Sequence, residues 1–167
     1  MFIGESLVGE SPNAAHINLY IGPRIGPVGT ALATAAAAPR QGYIPFIVVM
    51  KPNVPAKPIT LFAGKADLRG ERHEKMNWGP AQIGIAEGVA KALDGIFPPE
   101  AADEWCIIAG VWVPWAAEDA DAVYRNNRQA TYEAAERAMK RSPSLIEIRE
   151  ALATTGNWYY APPEGVR

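Results

Sequence analysis

The sequence predicts one α/β domain of the α+β kind, with strands and helices interleaved along a chain of 167 residues. Three observations carry that reading. Residues 14–21 alternate cleanly between apolar and polar side chains, the period of a half-buried strand. Residues 79–96 place Ala86, Val89 and Leu93 on one helical stripe. Neither an internal repeat nor a linker-like stretch interrupts the strand–helix–strand order.

In chain order, residues 3–8 (IGESLV) read as a short strand, and SPN at 11–13 as the turn after it. Strand 14–21 follows. Pro27 stands well at a first helical position, and the alanine-rich run to Ala38 favours helix until Pro39 stops it. Residues 42–50 (GYIPFIVVM) are almost continuously apolar, which predicts a strand buried on both faces, with Pro45 marking an edge or a bulge. Prolines stiffen 51–58 into a loop, because each ring fixes φ. Residues 59–68 (ITLFAGKADL) read as another strand, and the polar stretch 69–77 as a turn. The helix over 79–96 starts at Pro80 and carries Gln82 at the head of its apolar stripe. Residues 105–115 (WCIIAGVWVPW) are predicted as a central strand. Residues 118–141 form a long helix, acidic first and basic last, as the helix dipole favours. Ser144 caps a short final helix with Leu145, Ile148 and Leu152 on one face. The tail, GNWYYAPPEGVR, is rich in aromatic residues and proline.

The totals exclude several classes of function. Apolar residues make up 49% of the chain and charged residues 20%, which is enough for a core and too little charge for disorder. A net charge of −2 argues against a binder of nucleic acid or of anionic membrane, since both want a basic patch. The single cysteine, Cys106, rules out an intramolecular disulfide and a cysteine-based zinc site. The two histidines, His16 and His73, lack metal-motif spacing, so no metal is expected. No apolar run nears the ~20 residues of a membrane span, and no signal peptide is visible, so the expectation is a cytoplasmic protein.

Few residues stand out as candidates for chemistry. His16, Asn18 and Tyr20 project to one side of strand 14–21. An imidazole in line with an amide and a phenol is either a structural hydrogen-bonding group or a general acid–base, since its ordinary pKa lies near ~6.5. Lys65 and Asp67 form a same-face pair on strand 59–68. They are either a solvated charge pair or a lysine placed to orient an anionic or carbonyl group. Gln82 is either a helix-end hydrogen-bonder or part of a pocket. The turn GPRIGP is neither a Walker loop nor a dinucleotide fingerprint. His73 reads as surface, Cys106 as core, and Trp112 and Trp115 as core or interface.

Longer strings resemble a known family. GESLVGESPNAAHINLYIGPRIGPVGTA, KPNVPAKPITLFAGK, WGPAQIGIAEGVAKAL and DGIFPPEAADEWCIIAGVWVPWAAEDADAVYRNNRQAT are similar, in order and in one register, to the formaldehyde-activating enzymes. The resemblance covers residues 3–143. It sets a formaldehyde-activating-enzyme-like domain over 1–143 and a divergent C-terminal helix and tail over 144–167.

The resemblance implies a two-layer sandwich similar to the second domain of a small-subunit ribosomal protein, assembled as a homopentamer with active sites between neighbours. It implies a hydro-lyase that condenses formaldehyde with tetrahydromethanopterin to methylene-tetrahydromethanopterin and water, in one-carbon metabolism, formaldehyde detoxification and methylotrophy. Tetrahydromethanopterin or a related pterin is then a co-substrate, and no cofactor is held permanently. The family's catalytic histidine, a general acid, falls on His16. Its pterin-contacting positions fall on Asn18, Ile47, Lys65, Asp67 and Gln82. Family members carry aspartate where this chain has Asn18, threonine where it has Asp67, and leucine where it has Ile47. A carboxylate beside an imidazole favours imidazolium, and asparagine supplies no charge. Asp67 either returns a carboxylate to the pocket or pairs with Lys65. The departures imply a second reading, a non-catalytic paralogue that binds a pterin or related ligand as carrier, sensor or regulator.

Overall fold

The computed structural model describes residues 1–157 and 159–163. Strands β1 (Phe2–Val8) and β2 (Ala15–Pro23) form an antiparallel hairpin that sets Leu7 across from His16 and Glu5 across from Asn18. Along β2 the alternation is realised in full. Ala15, Ile17, Leu19 and Ile21 are buried, while His16, Asn18 and Tyr20 face the other way. The GPRIGP turn then ties the end of β2 back to the sheet, as Arg24 N donates to Glu104 O at 2.8 Å.

Helix α1 (Pro27–Ala37) starts on Pro27 and buries Val28. The apolar run after it departs from expectation. Residues 42–50 split into β3 (Phe46–Ile47) and β4 (Val49–Lys51), and β4 pairs with β5 (Val54–Pro55) in a separate ribbon. Val48 lies at the break. Its N–H donates to Thr60 O, and its carbonyl accepts from Ala56 N, so the chain changes hydrogen-bonding partner there. Proline at position 45 keeps the preceding segment out of the ladder, and Ile44 and Met50 stay exposed rather than buried on both faces.

Strand β6 (Ile59–Gly64) ends four residues earlier than predicted. Residues 69–77 are not a turn. Residues Gly70–Met76 form helix α2, which runs through a π-helical turn, Asn77–Ala81, into helix α3 (Gln82–Gly95). His73, expected at the surface, is 2% exposed. Its Nδ1 accepts from Arg69 N at 3.1 Å and its Nε2 meets Val113 O at 3.0 Å. The residues around it are charged, so the run looks solvated. His73 tolerates burial because both ring nitrogens are paired, and Asn77, also buried, donates to His73 O at 2.8 Å.

A short helix α4 (Ala101–Glu104) leads into β7 (Trp105–Trp112), the predicted central strand, which buries Cys106 as expected. Helix α5 (Ala120–Lys140) is capped by the Asp119 side chain. Ser144 and Glu147 form a capping box for helix α6 (Leu145–Ala151). Leu145, Ile148 and Leu152 are exposed, so that face joins no core. Of the tail, Trp158 and residues 164–167 lie outside the described residues.

The main sheet has the order β1-β2-β7-β6-β3, antiparallel except for the β6–β7 pair. Helices α3 and α5 make the second layer of the sandwich, packed against each other and, through α5, on β1 and β2. The seams are close. A Cβ on Gly4 would lie 1.8 Å from Ala134 O, so β1 lies almost directly on the backbone of α5. A Cβ on Gly88 would lie 2.7 Å from Arg128 O, so α3 also packs closely on α5. On the opposite sheet face, α1 covers one end, where Val28 meets Gly22. The part of that face that carries His16 and Asn18 is left open. Among the described residues, no helix is long and apolar enough to cross a membrane.

Candidate active site

The open face of the sheet places chemistry-bearing side chains by register alone. One row crosses it as Leu7, His16 and Trp112, and the next as Glu5, Asn18 and Gly110. Lys65 follows β6 directly, and its N–H donates to Val111 O at 2.8 Å. Its side chain then crosses over Gly110, with Cδ 3.7 Å from where a Cβ on that glycine would stand. It ends with Nζ donating to Asn18 Oδ1. Gly110 thus leaves the passage by which a lysine beyond β6 reaches β2.

His16 and Glu5 meet diagonally, Nε2 to Oε1 at 2.9 Å. Diagonal neighbours on one face of an antiparallel pair are within reach of long side chains. Burial lowers the pKa of His16 below its ordinary value, and the Lys65 ammonium lowers it further, while the Glu5 carboxylate pushes it up. Burial also brings the Lys65 ammonium down to about 8, with Glu5 opposing the shift. These residues and Leu7 and Trp112 line an open cleft of about 720 Å³, to which the tail adds Gly156, Asn157 and Tyr159. Tyr20 shares the sheet face with His16 but does not line the cleft.

Ile47 and Gln82 lie elsewhere. Gln82 is buried at the start of α3, where its Oε1 accepts from Val49 N at 2.7 Å. That bond uses the carbonyl end and leaves the amide N–H groups as donors. Gln82 and Ile47 line a second cleft of about 360 Å³ with Ile44, Phe46, Val49 and Trp78. This cleft sits at the β3 edge of the sheet, three strand spacings, or about 14 Å, from β2. One chain therefore brings His16, Asn18 and Lys65 together and holds Ile47 and Gln82 apart from them.

Asp67 departs from expectation as well. It is no same-face strand partner of Lys65, because the strand has already ended at Gly64. Its carboxylate pairs with Arg69 Nε at 3.2 Å, and its carbonyl accepts from Trp115 Nε1 at 3.1 Å. The Arg69 guanidinium lies 3.5 Å over the Trp115 ring, which is 45% exposed and not core.

A family model described as formaldehyde-activating enzyme matches residues 3–159. The chain belongs to the formaldehyde-activating enzyme family. It is 41% identical to the 5,6,7,8-tetrahydromethanopterin hydro-lyase of Methanosarcina barkeri, over 90% of this chain and 84% of that protein. It is 40% identical to the bifunctional enzyme Fae/Hps of Methanococcoides burtonii, over 89% of this chain, and 40% identical to that of Methanothrix thermoacetophila, over 87%. In each case the match spans 38% of the bifunctional protein. The two-layer sandwich is the architecture that the family resemblance implies, and it is the one observed.

Within this family member, Glu5 is the residue that reading the sequence overlooked. The signal was present. A turn at 11–13 between strands 3–8 and 14–21 pairs Val8 with Ala15, and that register carries Glu5 opposite Asn18. Alternation within 3–8 then puts Ile3, Glu5 and Leu7 on the face of His16.

Proposed function

We propose that this chain condenses formaldehyde with tetrahydromethanopterin, or a closely related pterin, to methylene-tetrahydromethanopterin and water. The observation that carries the reading is the convergence of His16, Asn18 and Lys65 in one cleft of a formaldehyde-activating enzyme family member. The name of the Methanosarcina barkeri relative, a tetrahydromethanopterin hydro-lyase, supports it. The reaction serves one-carbon metabolism or formaldehyde detoxification in the cytoplasm.

A secondary ring nitrogen of the reduced pterin adds to formaldehyde and gives a hydroxymethyl adduct. Loss of oxygen from that adduct is the harder step, because hydroxide leaves poorly. Protonated His16 gives its proton to the oxygen, the C–O bond breaks, water departs, and the nitrogen lone pair completes an iminium. The neighbouring arylamine nitrogen attacks the iminium carbon, and its proton returns to neutral His16. General-acid help of this kind contributes about 10²–10⁴-fold, and holding the two nitrogens in line adds a proximity term. The remaining donors of Lys65 and the amide N–H groups of Gln82 orient the carbonyl edge of the pterin.

The reading includes a ring of copies, a homopentamer as the family resemblance implies. His16 and Gln82 of one chain line different clefts, and the separation supports a site to which two neighbours each contribute one cleft. Ile3 and Leu7 near the β1 edge, and Ile44 and Trp78 near the β3 edge, are exposed apolar side chains suited to such a contact. Head-to-tail packing of unlike edges closes into a ring.

The test follows methylene-tetrahydromethanopterin formation above the spontaneous rate. His16→Ala is expected to lose the excess, and a variant at the wild-type rate sinks the general-acid assignment. Calorimetric binding of the pterin by a wild type that gives no acceleration favours the carrier role instead, to which the uncharged amide at Asn18 points.

A further inference from the structure

We propose that Glu5 is a positioning residue for His16, holding its ring by Nε2 and keeping its proton available on Nδ1. The proposal rests on His16 being the general acid. Three observations lead to it. The 2.9 Å contact commits Nε2–H to the Glu5 carboxylate, so Nδ1 is the nitrogen left to exchange a proton with a substrate. Among the described residues lining the cleft, Glu5 is also the one acid, and it faces two bases, His16 and Lys65. Lastly, Lys65 is satisfied by an amide, Asn18, which cancels none of its charge.

The charges around His16 can be named element by element. β1 presents Glu5, and β2 presents the neutral Asn18. The segment after β6 presents Lys65, β7 presents Trp112, and the tail presents Asn157 and Tyr159. Burial and Lys65 both disfavour imidazolium, and Glu5 is the group that opposes them. Register explains why a glutamate serves here. Glu5 stands opposite Asn18 rather than His16, so its carboxylate must reach along the diagonal. An aspartate is one methylene shorter and falls short of Nε2.

An ordinary surface ion pair is the bland alternative, since the Glu5 side chain is half exposed and such pairs contribute little to stability. The experiment separates the two. In Glu5→Gln, kcat at neutral pH is expected to fall about tenfold or more while KM for the pterin holds. The alkaline limb of the pH–rate profile, where His16 loses its proton, moves to lower pH, so activity recovers in part on acidification. Glu5→Asp is also expected to lose activity, because it keeps the charge but not the reach that holds the ring, whereas Glu5→Gln keeps the reach but not the charge.

The imidazole C–H resonance of His16 is followed by NMR in the same variants. The chain has two histidines, so one comparison with His16→Ala assigns it. The expected result is a His16 titration displaced to lower pH in Glu5→Gln. A His16 titration and pH–rate profile that do not move in Glu5→Gln overturn the proposal. Full activity in His16→Ala overturns instead the general-acid reading on which it rests, and the titration shift tells the two failures apart.

Discussion

Lys65 donates its hydrogen bond to Asn18, an amide rather than a carboxylate. The pairing is geometrically complete and electrostatically incomplete. Burial therefore acts on the ammonium without a counter-charge directly bonded to it, and its pKa falls to about 8.

That pairing makes stability depend on alkaline pH with a definite sign. The folded chain releases the Lys65 proton near 8, whereas the unfolded chain holds it to about 10.4. Between those values the unfolded state binds more protons, so stability rises with pH across the window. Asn18→Asp is expected to raise the folded pKa and flatten the rise. Urea midpoints for both proteins from pH 7 to pH 11 check this. Wild type should gain on the variant through the window, and a constant difference would show that Lys65 titrates as an ordinary lysine.

The separation of His16 from Gln82 predicts complementation between copies. His16→Ala and Gln82→Ala are each expected to be nearly inactive. Unfolded together and refolded as mixed rings, they should regain about a quarter of wild-type sites, because random assembly joins the intact half of each at that frequency. Activity no higher in the mixture than in either parent would place both residues in the same subunit's site.

Gly88 holds α3 against α5, and α3 carries Gln82. A methyl group there meets Arg128 O and Thr131 Cβ, each at 2.7 Å from the new Cβ, so the helices must move apart. Gly88→Ala is expected to cost about 1–3 kcal/mol by overpacking. It should also raise KM for the pterin more than it lowers kcat, because the helix that carries Gln82 shifts. Denaturant unfolding and steady-state kinetics read the two effects separately.

His73 accepts from Arg69 N at the start of its own helix through Nδ1 and joins α2 to the segment after β7 through Nε2. Accepting from Arg69 N while meeting a carbonyl at Nε2 requires the neutral tautomer with its proton on Nε2. His73→Phe keeps a ring but removes both bonds and leaves the buried Val113 C=O unpaired, at about 1–3 kcal/mol. A lowered melting temperature is expected, with His16-dependent activity retained at low temperature. An unchanged melting temperature would mean that water replaces both bonds.

Much of the fold was legible because its signals are local. Alternation over 14–21 survived in β2, and Pro27 and Ser144 mark helix starts where capping chemistry puts them. The misreadings share one cause. GYIPFIVVM is apolar enough for a central strand, yet Val48 divides its bonds between Thr60 and Ala56, and the run breaks in two. RGERHEKMN is polar enough for a turn, yet two inward side chains, His73 and Asn77, anchor it as a helix. In both cases a partner far along the chain outweighed local character.

The candidate site divides along the same line. By itself, the sequence determined that His16 and Asn18 share a face, that Gln82 heads a buried stripe, and that the chain resembles an enzyme family. Periodicity and side-chain chemistry are properties of one segment at a time. Only the tertiary structure decided that Glu5 supplies the carboxylate beside His16, that Lys65 crosses Gly110 to reach Asn18, that Asp67 turns to Arg69, and that Ile47 and Gln82 line a separate cleft. Those relations follow from strand order and register, which are settled when separate segments bury their apolar faces against one another.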